Sequence, residues 1–178
     1  MSRKAAPPLP ESKNVKRKSE ILIRPACGAD AARIAHLLAP YAVTGLVLPR
    51  SEAEILHHIG NFLVAARGKS GRGRVVGCVA LRDYCAGLFE VRSLAVSASE
   101  TGSGLGSVLV QASVDEAARR GADRVFALTL RANLFKRLGF AVVETEMFPQ
   151  KVWTDCKNCK KLECCDEIAV LLTLPTRK

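Results

Sequence analysis

Two periodicities alternate along the chain. Ile21-Leu22-Ile23-Arg24 is a short apolar run stopped by Pro25, which predicts a first strand. Asp30 stands at the N-cap position of a helix whose apolar positions are Ile34, Leu37 and Leu38. Ser51-Glu52-Ala53-Glu54 has the capping-box pattern and opens a second helix with Ile55, Leu56 and Ile59 on one side. Phe62-Leu63-Val64-Ala65 predicts a strand, and residues 68–73 a glycine- and charge-rich turn. Two β-rich runs follow at 75–84 and 88–96, and the intervening Cys85-Ala86-Gly87 makes them a hairpin.

The period then lengthens. Residues 104–120 form a helix with Leu105, Val108, Leu109 and Ala112 on its buried face, ended by Gly121 at C′. Residues 124–130 predict a strand, 134–138 a short helix, 140–143 another strand and 168–174 a last one. No internal repeat is present. The order β–α–α, then ββ–loop–α–β–α–β, gives an α/β or α+β fold in which helices cover a mixed sheet.

Composition narrows the class. The 178 residues suit one domain, and 48% hydrophobic with 25% charged residues is globular composition. No apolar stretch is long enough to cross a bilayer, and the N-terminus lacks the apolar core of an export signal. Membrane partners are therefore not expected, and a cytoplasmic location is. The net charge of +10 divides unevenly. Arg3, Lys4, Lys13, Lys16, Arg17 and Lys18 face only Glu11 in the first 18 residues, a stretch that also holds Pro7, Pro8 and Pro10. Residues 1–19 thus read as a solvated basic tail, and 20–178 as the single domain. At 5% aromatic content the chain offers few stacking platforms, which argues against nucleic acid as its partner.

Cysteine usage points to a reducing compartment. Cys27, Cys78 and Cys85 are scattered beside apolar residues, as buried free thiols are. Cys156, Cys159, Cys164 and Cys165 crowd a segment at about 149–167. Their adjacent second pair strains tetrahedral chelation, so no metal is expected; free thiols and a redox disulfide stay open beside it.

The most informative segment is Ser93-Leu94-Ala95-Val96-Ser97-Ala98-Ser99-Glu100-Thr101-Gly102-Ser103-Gly104-Leu105-Gly106-Ser107. A strand enters a loop with three alternate glycines and a helix begins at once, an arrangement that lets backbone N–H groups close around an anion such as a pyrophosphate. The Gly-Lys-Ser/Thr end of the Walker pattern is missing, and the loop falls mid-chain rather than after the first strand of a dinucleotide-binding unit.

With strand 125–130 and Leu134-Phe135-Lys136-Arg137-Leu138-Gly139-Phe140 behind it, this segment resembles the GNAT family of acetyl-CoA-dependent N-acetyltransferases, over residues 20–174. The resemblance implies a mostly antiparallel mixed sheet of six or seven strands with helices on both faces, and acetyl-CoA as co-substrate. GNAT members are often dimers, so a homodimer is open to the chain. Two departures stand out. Thr101 occupies the place where the family loop opens with Arg or Gln, and Phe135 the place where many members carry a Tyr general acid. Gly45-Leu46-Val47-Leu48-Pro49-Arg50-Ser51-Glu52, Phe89-Glu90-Val91-Arg92-Ser93-Leu94-Ala95-Val96, Phe126-Ala127-Leu128-Thr129 and Lys151-Val152-Trp153-Thr154-Asp155-Cys156 are together similar to the short, single-domain bacterial N-acetylglutamate synthases.

That resemblance implies roles. Glu90 matches the base that takes the proton of the attacking amine, and Thr129 the hydroxyl beside the leaving thiolate. The backbone N–H near Leu94 suits the oxyanion, by analogy of fold. The amides of Leu94, Ala95 and Val96, and those of Thr101, Gly102, Ser103, Gly104, Leu105, Gly106 and Ser107, would contact coenzyme A, with Asn133 and Phe135 flanking the pantetheine. An acceptor with two carboxylates needs cations, and Arg50, beside Ser51, Arg92 and Lys151 are the candidates. The expected reaction is acetyl transfer to the α-amine of L-glutamate. Another amino acid, a polyamine or a protein amine as acceptor, and a non-catalytic acetyl-CoA or redox sensor, are the competing readings.

Overall fold

The computed structural model describes residues 20–68, 73–149 and 165–175. The basic tail, Lys151, Cys156, Cys159 and Cys164 lie outside them.

Seven strands form one sheet: β1 (Ile21–Pro25), β2 (Phe62–Arg67), β3 (Arg74–Asp83), β4 (Leu88–Val96), β5 (Arg124–Thr129), β6 (Ala141–Val142) and β7 (Ile168–Thr173), in the order β1-β2-β3-β4-β5-β7-β6. Only β4 and β5 are parallel neighbours; every other pair is antiparallel. The helices are α1 (Ala31–Val43), α2 (Glu52–His57), α3 (Leu105–Arg119) and α4 (Ala132–Lys136).

Alternation along the strands sorts side chains onto two cores. Leu63, Ala65, Val76, Phe89 and Val91 meet Leu105, Leu109 and Val110 of α3 and Phe135 of α4 on one face. Phe62, Val64, Cys78 and Ala80 meet Ile34 and Leu38 of α1 and Ile55 of α2 on the other. The sheet is thus covered on both faces, as the resemblance implied.

Local chemistry agrees at two helix ends. Ser51 accepts from the Glu54 amide at 3.2 Å while the Glu54 carboxylate accepts from the Ser51 amide at 2.7 Å, so the capping box forms as read. Gly121, with φ of +87°, ends α3.

Asp30 holds the N-cap position of α1 as read, but its carboxylate makes no cap bond: a 3₁₀ turn over Gly28–Asp30 precedes that helix, and the carboxylate turns back to the Cys27 amide at 2.9 Å and to both terminal nitrogens of Arg24, at 2.6 and 3.0 Å. Three readings need correction. Val108, read onto the buried face of α3, is exposed. The short helix α4 starts at Ala132 rather than Leu134, because the chain turns as soon as β5 ends at Thr129. Of the three scattered cysteines only Cys78 is buried. Cys27 opens the 3₁₀ turn, and Cys85 sits in the hairpin loop with φ of +66°, so both are exposed.

Candidate active site

The site originates in two irregularities of β4. The first is a bulge. Pairing with β3 runs Gly77↔Val96 and Cys78↔Ala95 and resumes at Ala80↔Arg92, so Val79 faces both Ser93 and Leu94. Ser93 takes φ of +50°, a left-handed conformation uncommon for a residue with a side chain. The extra residue resets the alternation: before it Phe89 and Val91 face α3, after it Leu94 and Val96 do. The second irregularity is a fork. β4 pairs with β5 only at Leu88↔Arg124, Phe89↔Val125 and Glu90↔Phe126. Beyond Glu90 the two strands part.

A cleft of about 730 Å³ opens at that fork, a volume suited to a small-molecule site. Its walls are the end of α1 and the loop that follows, from Tyr41 to Arg50; residues 90–94 of β4; residues 128–131 at the end of β5; Leu134 and Phe135 of α4; and Cys165, Asp166 and Glu167 leading into β7.

Glu90 is buried, with 2% of its surface exposed. A buried carboxylate must be paired or hydrogen-bonded. The Tyr84 hydroxyl donates to its Oε2 at 3.1 Å, and Nη1 of Arg92 lies 3.6 Å from the same oxygen. Tyr84 is itself fixed: its ring lies 5.7 Å from that of Phe126, which stacks on Phe148 at 4.0 Å, and the Arg82 guanidinium lies 4.8 Å above it. On the opposite wall Nε of Arg50 donates to Oγ of Ser93 at 3.1 Å. Thr129 stands at the end of β5, where its Oγ1 accepts from the Arg131 amide at 2.9 Å. A hydroxyl that accepts there keeps its own proton to donate.

The cleft therefore brings together Glu90, Arg92, Arg50, Thr129, Leu94 and Phe135. Ser51 stays outside its walls, its hydroxyl committed to the cap of α2, and Asn133 is exposed outside them as well. Ala95 and Val96 follow the bulge, Ala95 buried under α1. Phe135 doubles as a core residue, packed edge-to-face on Phe140 at 5.2 Å.

The glycine loop lies at the start of α3. Gly102 and Gly104 have φ of +79° and +85°, and a Cβ built on either would meet nothing within 4 Å. Among the described residues, the amides of Gly102, Gly104 and Gly106 have no backbone acceptor, whereas Ser103, Ser107 and Val108 donate to Glu100 and Gly104. Open space in front of unpaired donors at a helix N-terminus fits a phosphate-bearing guest.

Three features of the site were missed in the sequence. Tyr84 sits six residues before Glu90 and reaches it only because the hairpin folds them together. Tyr41, on α1, donates its hydroxyl to the Val96 carbonyl. Arg131 joins the wall at the end of β5. The one available signal was the tyrosine at the hairpin end, polar within an apolar run. Among the described residues no group of three or more His, Cys, Asp or Glu side chains could hold a metal ion. No helix in them is long and apolar enough to cross a membrane.

Residues 58–142 match the family described as the acetyltransferase (GNAT) domain. An uncharacterised N-acetyltransferase of Chlorobaculum tepidum is 41% identical over 88% of this chain and 98% of its own length. The amino-acid acetyltransferase of Mycobacterium tuberculosis is 32% identical over 69% of this chain and 70% of its own. The chain belongs to the GNAT acetyltransferase family, and is an acetyl-CoA-dependent acyltransferase. Among solved structures, the N-acetylglutamate synthase of Neisseria gonorrhoeae complexed with coenzyme A and N-acetyl-glutamate superposes with a TM-score of 0.76 at 25% identity. The match covers 89% of this chain and 36% of the synthase. A second neighbour, a Mycobacterium tuberculosis protein in complex with CoA, has a TM-score of 0.73 at 28% identity and is covered over 99% of its length.

Proposed function

We propose that this enzyme acetylates the α-amine of L-glutamate, the first step of arginine biosynthesis. The observation that carries the reading is the conjunction, at the fork of β4 and β5, of a buried carboxylate, Glu90, with the cations Arg50 and Arg92 and the hydroxyl of Thr129. The likeness to a synthase complexed with N-acetyl-glutamate supports it.

Coenzyme A enters between the parted strands, its pyrophosphate on the amides of Gly102, Gly104 and Gly106 at the start of α3 and its thioester near Leu94. The glutamate carboxylates meet Arg50 and Arg92, with Lys151 a further cation. Glu90, directly or through a water, takes a proton from the ammonium, so that the nitrogen lone pair can attack. The N–C bond forms first and leaves a tetrahedral oxyanion, which the Leu94 amide faces. Its collapse restores the C=O bond and breaks the C–S bond; the Thr129 hydroxyl hands its proton to the departing thiolate and receives in its place the second proton that the nitrogen loses.

The test is thiol release from acetyl-CoA with glutamate, glutamine, aspartate, lysine and spermidine as acceptors. Release with glutamate that is lost in Glu90→Gln and in Arg50→Ala is the expected result. Release with spermidine alone would assign a polyamine acceptor instead.

A further inference from the structure

The glycine loop is exposed along its length, yet the residue just before it is not. Glu100 keeps only 7% of its surface, closes a 3₁₀ turn over Ala98–Glu100 and precedes Thr101. Its carboxylate is paired with Nη2 of Arg67, the last residue of β2 and two strands away from β4. Its backbone is tied as well. The Glu100 amide donates to the Ser97 carbonyl at 2.9 Å. The Glu100 carbonyl accepts from the Ser103 amide at 3.1 Å and from the Ser103 hydroxyl at 2.6 Å. Four polar connections thus converge on one buried residue, and the two glycines that follow have no side chain to hold them.

We propose that the Arg67–Glu100 pair is a positioning device for the acyl donor: it pins the glycine loop to the sheet so that the loop amides face the pyrophosphate. This rests on the assignment of that loop to coenzyme A. The physical argument has two parts. A loop with glycines at positive φ has many accessible conformations, and ordering it anew on each binding event would weaken affinity. A buried carboxylate next to an anion-binding loop would also repel the guest, unless a cation neutralises it. Arg67 meets both needs, as tether and as counter-charge. Thr101, where the family loop opens with Arg or Gln, supplies neither.

The two roles predict an ordering of variants. Arg67→Met leaves a buried carboxylate uncompensated and is the most harmful change. Glu100→Gln keeps the shape and loses only the charge. The double variant removes the repulsion and recovers part of the loss.

The experiment measures CoA affinity by calorimetry for the wild type and these three variants. Beside it stands kcat/KM with S-acetyl-pantetheine, a donor lacking pyrophosphate and nucleotide, using the best acceptor of the panel above. The expected result is CoA affinity about tenfold weaker in Arg67→Met, partly restored in the double variant, with the pantetheine donor used as well as by the wild type. Equal losses with both donors would show that the pair only holds up the fold. Unchanged CoA affinity in Glu100→Gln and Arg67→Met would overturn the proposal outright. If Arg67→Met fails to fold, the isosteric Glu100→Gln decides on the same readouts. A wild type that uses acetyl-CoA no better than S-acetyl-pantetheine would instead remove the assignment of the loop to the pyrophosphate.

Discussion

Nε of Arg50 donates to Oγ of Ser93 at 3.1 Å, joining the loop between α1 and α2 to the bulge of β4. One contact therefore links a cation proposed for the acceptor to the strand that carries Glu90. The hydroxyl orients the guanidinium, and the bulge places the hydroxyl at a φ of +50°.

Ser93→Ala and Ser93→Gly separate these effects. Both remove the hydroxyl, and both are expected to raise KM for the acceptor about tenfold or more while KM for acetyl-CoA stays put, since a hydrogen bond to a charged group contributes about 1.5–3 kcal/mol. Glycine alone relieves the left-handed backbone, so Ser93→Gly should be more stable than Ser93→Ala by about 1 kcal/mol. Urea unfolding of the two variants checks this.

Glu90→Gln should lower kcat by about 100-fold or more, the usual contribution of a general base. CoA binding, measured by calorimetry, should stay unchanged. Tyr84→Phe removes the hydroxyl that donates to Oε2 of Glu90. It should lower kcat about fivefold with KM for acetyl-CoA unchanged, because the carboxylate loses the donor that fixes its orientation. An unchanged kcat would separate Tyr84 from the base.

Asp30 gives a stability prediction with a definite sign. The Arg24 guanidinium, helped by the Cys27 amide and thiol, holds its carboxyl down from 3.8 to about 2, against the opposing effect of burial. The folded state thus binds the proton less readily than the unfolded chain, so the stabilisation is complete above the unfolded value and is lost as pH falls through the folded one. It amounts to about 2 kcal/mol between roughly pH 4 and pH 2. Thermal unfolding from pH 6 to pH 2 should show Asp30→Asn less stable than the wild type at pH 6 and the two converging in acid.

The cysteines offer a chemical map. Burial pushes the Cys78 thiol up to about 12, so iodoacetamide should leave it unmodified in the native protein, while Cys27, Cys85 and Cys165 are exposed. Cys165 lines the cleft and the other two do not. Of these three, Cys165 alone should be alkylated more slowly when CoA is added, as read by peptide mass mapping. Equal protection of Cys27 would count against the cleft as the CoA site.

How legible was this site? The strands, the hairpin and the capping box of α2 were readable because each rests on contacts a few residues apart. The glycine loop was readable too, since glycine marks backbone that no other residue adopts comfortably. The bulge was not. Ser93 carries no glycine or proline signal, and its conformation is set by the registers of Cys78↔Ala95 and Ala80↔Arg92 on a strand some fifteen residues earlier. The partner of the Asp30 carboxylate was hidden for a related reason: Arg24 lies on β1, and a carboxylate with a guanidinium in reach turns away from the helix whose N-cap position it holds. Glu90 was singled out through resemblance, and its hydrogen-bond partners became visible only in the fold.

The fork also has a consequence for how such an enzyme can change. Glu90 and Phe126 form the last rung of the parallel ladder, so the position at which the two strands part also carries the carboxylate proposed as the base. A substitution in β5 that shifts this rung moves that carboxylate with it. Stability and turnover are thereby selected together at this one register, and sequence drift should be slower along the rungs from Leu88 to Glu90 than anywhere on the rim of the cleft.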